Sequence, residues 1–165
     1  MAVTIHQISV PVFERHLKAL AGCLDKTVAH AEKHKIDPEF LATYRLFPDM
    51  FPFWRQVHQA NLHARRGAAM PAGIDFPKID AADTSFDQLK ALTTATLDFL
   101  GTIEAGSMDD GREVTIIAGG NERTFPTAIE YLLTHAIPNF YFHTTTAFDI
   151  LRHNGIELGK RDFMG

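Results

Sequence analysis

The stretch of sequence that decides the fold is residues 138–155, PNFYFHTTTAFDILRHNG. Asn139 and His143 are four residues apart in it, which is about one turn of an α-helix. Apolar residues then recur every three or four positions as far as Gly155, a residue typical of helix C-termini. The stretch therefore predicts an amphipathic helix that carries two polar side chains near its apolar face.

The hydrophobic pattern upstream predicts two further long helices. The first spans residues 4–35, where apolar residues are spaced by three and four, and Ser9 is a candidate for its N-cap. The second spans residues 50–67 and has a continuous apolar stripe. Because glycine commonly follows the last turn of a helix, Gly67 is the predicted end of the second helix.

A third helix and a hairpin are predicted in the second half of the chain. A connector rich in Pro and Gly, over residues 70–85, separates this half from the first. Ser85 and Gln88 match a capping box, which places the start of the third helix. Gly119 and Gly120 then lie between two short runs of β-favouring residues, and this pattern predicts a β-hairpin.

The last helix is predicted over residues 126–153. At about 1.5 Å per residue it would be about 42 Å long, the length of a bundle helix. The helical periodicity places Leu133 and Phe140 on its inward face and His135 on the solvent side. The predicted fold class is all-α: a four-helix bundle with a short β-hairpin before the last helix, forming one domain over residues 1–165.

The composition argues against nucleic-acid and membrane partners. The chain has 16 Lys and Arg against 20 Asp and Glu, and no basic run exceeds Arg65-Arg66. A nucleic-acid face needs clustered cations to neutralise phosphates. No apolar stretch approaches the ~20 residues that span a bilayer. Residues 1–13 lack a secretory-signal pattern, and Cys23 is the single cysteine, so we expect a cytoplasmic protein without disulfides.

The last helix carries the first candidate site residues. On the helical wheel His143 lies at the edge of the apolar arc and Asn139 slightly further out, so both are placed to face a cavity between helices. Two other interpretations remain open. His143 also suits a hydrogen-bonded core histidine, and Asn139 suits a bond to backbone that Pro138 leaves without its usual donor.

The second helix carries the remaining candidates. Asn61 falls within its apolar stripe, and a buried amide must find a partner or a ligand because burying it alone costs about 1–3 kcal/mol. Asn61, Trp54 and Phe140 are therefore candidate lining residues of a ligand pocket. His58 lies about 100° from the centre of the stripe and suits either a ligand position or the surface. The other histidines, including His63, show no regular ligand spacing and are interpreted as structural.

Several motifs resemble a known superfamily. HTTTAFDILRHNG, in which His143 precedes Gly155 by twelve residues, resembles the last helix of the DinB/YfiT-like four-helix bundles. DMFPFWRQV, REVTI, PNFYFHTTTAFDILRHNG and GKRDF resemble an uncharacterised family within that superfamily, a domain of unknown function. The resemblance covers nearly the whole chain and implies the bundle-and-hairpin fold predicted above.

The resemblance also implies a metal site in the bundle core. Metal-bearing members use one His from the second helix and a His-x3-His pair on the last helix. Here His143 takes the second place of that pair, and His58 is the candidate on the second helix. Asn139 stands in the first place, so the pattern is incomplete. A neutral amide is a poor donor to Zn²⁺ or Ni²⁺, and the site is expected to be degenerate or weak.

Two functions remain open on this evidence, and the sequence does not decide whether the protein is an enzyme. The first is a bundle of unassigned activity that keeps a weak metal site or binds a small-molecule ligand. The second, by resemblance, is a metal-dependent small-molecule (thiol) transferase or hydrolase. The resemblance also implies a homodimer, for which the aromatic segment DMFPFW would supply apolar surface; a core role for that segment is equally consistent.

Overall fold

A computed structural model of the protein describes residues 3–78 and 84–165. The predicted helical bundle with a hairpin before its last helix is confirmed. Residues 79–83 of the predicted connector lie outside the described residues. The elements are α1 (Val10–His34), α2 (Pro38–Thr43), α3 (Phe53–Ala72), α4 (Phe86–Leu100), a 3-10 turn (Ala105–Ser107), β1 (Val114–Ala118), β2 (Asn121–Phe125), α5 (Ala128–Tyr131), a π-helical turn (Leu132–Ala136), α6 (Ile137–His153) and α7 (Lys160–Met164).

The helices α1, α3, α4 and α6 form the bundle, and the most extensive contact joins α3 to α6. The side of α3 that faces the core carries small residues, because Ala60, Ala64 and Ala68 are all fully buried. Large rings fill the space around them, among them Phe13 on α1 and Phe140 on α6. Among the described residues no helix combines the length and apolar character needed to cross a bilayer.

The first helix is shorter at its start than predicted. It begins at Val10, after a series of turns, and Ser9 makes no side-chain capping bond. Ser9 is fully buried, and its hydroxyl donates instead to the backbone carbonyl of Ile5 at 2.7 Å. The predicted Ser9 cap is therefore wrong, since a hydroxyl that points back into the preceding turn does not reach the first free N–H groups of the helix.

The predicted end of the second helix at Gly67 is also wrong. α3 continues to Ala72 and ends at Gly73, whose φ of 67° lies in the left-handed region that glycine adopts readily. Gly67 sits inside the helix because the Phe13 ring packs directly against its backbone. A Cβ at Gly67 would lie 2.7 Å from Phe13 Cζ, closer than side-chain carbons approach. Its absent side chain serves packing rather than helix termination.

The third helix and the hairpin follow the sequence prediction. Ser85 accepts a hydrogen bond from the backbone N–H of Gln88 at 3.3 Å, which caps α4. β1 and β2 pair antiparallel around Gly119 and Gly120, both with positive φ. Phe125 joins Val114 and Ile116 in the core, so the hairpin packs on the bundle rather than standing alone.

The last helix contains a π-helical turn that the sequence pattern did not predict. Its helical run extends continuously over residues 128–153, and Ile137 N–H donates to Leu132 O, five residues back. The turn directly precedes Pro138, which has no N–H to donate. Because a π turn holds more residues than an α turn, it changes the direction in which the residues around it point from the helix axis. Leu133, predicted inward, is 56% exposed, and His135, predicted to face solvent, is half-buried.

Gly67→Ala is expected to lower the free energy of unfolding by about 1–2 kcal/mol, because overpacking a filled core costs more than the helix propensity gained. Urea denaturation measures this change in the free energy of unfolding. The matched control is Gly22→Ala, at an exposed position inside α1 where the added Cβ meets nothing within 4 Å. Gly22→Ala should raise stability by up to about 1 kcal/mol. A Gly67→Ala protein as stable as the wild type would contradict the packing role.

Candidate functional site

His143 of α6 is held in place by an amide of α3. Its Nδ1 lies 2.7 Å from Oε1 of Gln56, and the Gln56 Nε2 donates to the backbone carbonyl of Phe51 at 3.0 Å. Both side chains are buried. Because the Gln56 oxygen accepts, Nδ1 of His143 carries the proton and Nε2 carries the lone pair. The Phe51 contact fixes the orientation of the amide and therefore the tautomer of the histidine.

A second buried histidine stacks on His143. The His63 and His143 ring centres are 5.6 Å apart and the planes are inclined by 14°. His63 and Gln56 are seven residues apart on α3, which places them on the same face two turns apart. On its other side His63 meets the ring of His135, with centres 5.6 Å apart and planes inclined by 63°. The α3–α6 interface thus contains a row of three imidazoles, His135–His63–His143.

Burial keeps these imidazoles neutral at pH 7. Desolvation lowers the pKa of His143 to about 4. Desolvation also lowers the pKa of His63 to about 3, with smaller contributions from Arg66 and from the protonated forms of His143 and His135. The pKa of His135 is lowered by burial and by the charges of Arg123 and Arg66. Each ring therefore offers one N–H donor and one lone pair at neutral pH.

Two aromatic side chains flank His143. The Phe51 ring is nearly parallel to the imidazole, inclined by 11° with centres 6.3 Å apart, and the Phe142 ring meets it edge-on at 5.3 Å. Both rings are exposed, and Arg55 lies over the Phe51 ring at 4.0 Å. The histidine itself is buried.

The two other predicted metal ligands, Asn139 and His58, do not lie beside His143 as His63 does. Asn139 is half-buried, and its Nδ2 donates to the His135 carbonyl of its own helix at 2.7 Å, which leaves Oδ1 and the second N–H for other partners. His58 is half-buried on α3. It precedes His63 by five residues, which turns it about 140° around the helix. The structure thus places His63, rather than His58, on the face of α3 that carries Gln56.

The predicted pocket residues point to different neighbours. Asn61 is fully buried and its Nδ2 donates to the Val57 carbonyl at 2.9 Å and to Thr93 Oγ1 of α4 at 3.3 Å, while its Oδ1 has no partner among the described residues. Phe140 packs edge-on against Phe13 of α1 at 4.9 Å. Trp54 is partly buried against the core. Asn61 therefore lies at the α3–α4 contact and Phe140 at the α1–α6 contact.

Sequence reasoning missed Gln56 and His63. His63 was set aside because the histidines as a group lack regular spacing. The available signal was their spacing of seven residues on one amphipathic helix, which places an amide and an imidazole on a common face. Among the described residues, no group of three or more His, Cys, Asp or Glu side chains is arranged to hold a metal ion.

Comparisons with known proteins agree with this architecture. The model of the family described as "Domain of unknown function (DUF1993)" matches residues 5–164. The chain is also similar to the crystal structure of a DinB family member protein from Shewanella denitrificans, at 35% sequence identity and a TM-score of 0.87. That alignment covers 97% of this chain and 91% of the other. Comparison with curated proteins gives no match.

The family match and the alignment with the similar crystal structure each span nearly the whole chain. Of the motifs that resemble the superfamily, DMFPFWRQV runs into α3 and PNFYFHTTTAFDILRHNG spans α6. The chain therefore belongs to the domain-of-unknown-function family DUF1993 and has a DinB-like helical-bundle fold.

Proposed function

We propose that the α3–α6 interface holds a weak site for a divalent metal ion such as Zn²⁺ or Ni²⁺, with His143 and His63 as its ligands. The observation that carries the proposal is the His143–Gln56 hydrogen bond, which leaves the Nε2 lone pair of a neutral imidazole beside a second neutral imidazole. The proposal concerns binding and assigns no reaction.

The donor set suits such an ion in part. An ion about 2.0–2.1 Å from one nitrogen of each ring would put the two ring centres within roughly 6.5 Å of each other, and they are 5.6 Å apart. Gln56 supplies the outer hydrogen bond that metal-binding histidines usually make through their second nitrogen. When bound, such an ion would act as a Lewis acid that polarises a coordinated oxygen or sulfur atom.

The set is also incomplete, which is why we propose a weak site. The third donor nearest in sequence is the Asn139 amide, whose Nδ2 donates to the His135 carbonyl. A neutral amide oxygen binds borderline metals less tightly than an imidazole does. A metal-dependent thiol transferase or hydrolase of the kind implied by the resemblance would require a more complete ligand set than the described residues supply.

The homodimer implied by the resemblance has one structural support. Phe40 and Phe47, on α2 and the loop after it, are 64% and 63% exposed. Within DMFPFW, Phe51 is exposed whereas Phe53 is fully buried, so that segment divides between surface and core. Large apolar side chains exposed on the surface favour contact with another copy when they form a continuous patch. Light scattering coupled to size-exclusion chromatography would show a doubled mass if the proposal holds and a monomer mass if it fails.

Zinc titration of the metal-free protein tests the site directly. His143→Ala and His63→Ala should each weaken zinc binding at least about tenfold, because each removes one of two imidazole ligands. Calorimetry gives the affinities. The matched control is His58→Ala on the same helix, which should leave the affinity unchanged. Loss of binding in His58→Ala with no change in His63→Ala would instead favour the ligand set predicted from the sequence and would overturn ours.

Gln56→Leu tests the orienting hydrogen bond. Without its acceptor, the His143 ring is free to rotate and to change tautomer, and zinc affinity should fall about 10- to 100-fold. Gln59→Leu, at a half-buried position on the same helix, is the control. Equal zinc affinities for Gln56→Leu and the wild type would show that the amide does not position a ligand.

The lowered pKa values of His63 and His143 also predict how stability depends on pH. In the unfolded chain both histidines bind protons below about pH 6.5. In the folded protein the pKa is about 4 for His143 and about 3 for His63, so both rings stay neutral to lower pH. The free energy of unfolding should therefore fall by about 4 kcal/mol between pH 7 and pH 5, about 2 kcal/mol from each histidine. His63→Gln should reduce this loss by about half, and the exposed His34→Gln should not change it. Identical pH profiles for wild type and His63→Gln would contradict the burial of a neutral ring.

A further inference from the structure

Three buried polar atoms near the imidazole row lack a hydrogen-bond partner among the described residues. They are His63 Nδ1, the Tyr131 hydroxyl and Arg66 Nε. His63 is 7% exposed and Tyr131 is fully buried. A buried donor without a partner is unfavourable, and native structures rarely leave one so. Three such atoms in one region indicate that something outside the described residues completes their hydrogen bonds.

The three side chains are connected through α3 and through the His135 ring. Arg66 follows His63 by three residues on α3, which places them on the same side of the helix. The Tyr131 ring stacks on His135 with centres 5.7 Å apart, and His135 meets His63 at 5.6 Å. The charge of Arg66 acts on all three of these rings: it lowers the pKa of His63 and of His135, and it opposes the rise that burial causes in the pKa of Tyr131.

The charges around this region are positive. Arg123 of β2 lies over the Phe125 ring at 4.6 Å and adds a second positive charge that acts on His135. The ion pairs found between described residues involve neither Arg66 nor Arg123. The region thus combines hydrogen-bond donors, cationic side chains and no paired carboxylate in the part of the chain that the structure describes.

We propose that Arg66, Tyr131 and His63 form a binding site for a small carboxylate anion, with His135 beside it. Arg66 would donate through its guanidinium to the carboxylate, Tyr131 through its hydroxyl and His63 through Nδ1–H. A carboxylate satisfies these donors and neutralises local positive charge, whereas a water molecule would supply hydrogen bonds alone. The proposed site has one arginine, Arg66, whose Nε is buried. A phosphate dianion carries more negative charge than a carboxylate and requires more cationic donors than this one.

The ligand would enter beside Arg66. That side chain is half-buried, and its Cζ lies 5.7 Å from the centre of the Phe76 ring, so it is the member of the site nearest the surface. The proposed site uses Nδ1–H of His63 and makes no use of His143. It therefore does not depend on the metal proposed above.

Formate, the smallest carboxylate, is the probe. Sodium formate is titrated into the protein while chloride is withdrawn stepwise, so that the ionic strength stays constant. Binding is followed through the NMR chemical shifts of the imidazole nitrogens of His63. We expect saturation, with Nδ1 of His63 among the most perturbed signals. Acetate should behave in the same way, and phosphate at the same ionic strength should bind at least about tenfold more weakly.

Two variants assign the site. Arg66→Gln should weaken formate binding at least about tenfold because it removes the charged donor. Tyr131→Phe removes only the hydroxyl and should weaken binding about tenfold while leaving the fold intact. The matched control is Arg55→Gln, which removes an arginine of the same helix that lies over the Phe51 ring. It should bind formate as the wild type does.

Three results would overturn the proposal. The first is a wild-type protein that shows no saturable response to formate beyond that of chloride, which would mean an adventitious ion only. The second is formate binding that is equal in the wild type, Arg66→Gln and Tyr131→Phe. The third is tighter binding of phosphate than of formate at the same residues, which would exclude a carboxylate as the preferred ligand. Thermal melts of each variant establish that it is folded before it is scored.

Discussion

The rest of the structure depends on the close contact between α3 and the last helix. α3 presents Ala60, Ala64 and Gly67 to the interior, all without bulky side chains, so that neighbouring rings reach its backbone. A well-packed interior of this kind excludes water. Polar groups at the contact must therefore find partners within the protein or in a ligand, and the imidazoles of His63 and His143 are held neutral there.

The π turn before Pro138 determines which residues of the last helix meet that contact. It buries Leu132, leaves Leu133 exposed and turns His135 from the solvent side toward His63. Proline cannot donate the backbone hydrogen bond that an α-helix would require of it, and the wider turn just before it accommodates the break. π turns of this kind occur often at functional sites, and here it lies between Tyr131 and His143.

The interface contains two chemically different regions that share His63. Toward His143 there are lone pairs on neutral rings, with Gln56 as the orienting partner, an arrangement that suits a cation. Toward Tyr131 and Arg66 there are positive charge and donors that have no partner in the described part of the chain, an arrangement that suits an anion. A neutral imidazole serves both, since one nitrogen donates and the other accepts. This explains how a DinB-like bundle with an incomplete histidine pattern can still carry a polar interior.

Local patterns in the sequence determined the elements of the fold. Periodic apolar residues predicted the bundle helices, the Ser85–Gln88 spacing predicted the start of α4, and the Gly119-Gly120 pair predicted the hairpin, because each signal acts within a few residues. The motif around His143 identified the helix and the family. The polar character of His143, Asn139 and Asn61 near apolar faces was also readable from spacing alone.

Only the tertiary structure decided which side chains meet. Gly67 was predicted to end a helix because a local rule assigns glycine to helix ends, whereas contact with Phe13, 54 positions earlier in the chain, keeps it inside one. His63 was passed over because its partners, His143 and His135, come from the last helix. The alignment of these rings with His63 depends on a π turn that no single residue of the sequence predicts. Spacing along one chain segment gives the face of a helix, but the partner of that face depends on how the helices pack.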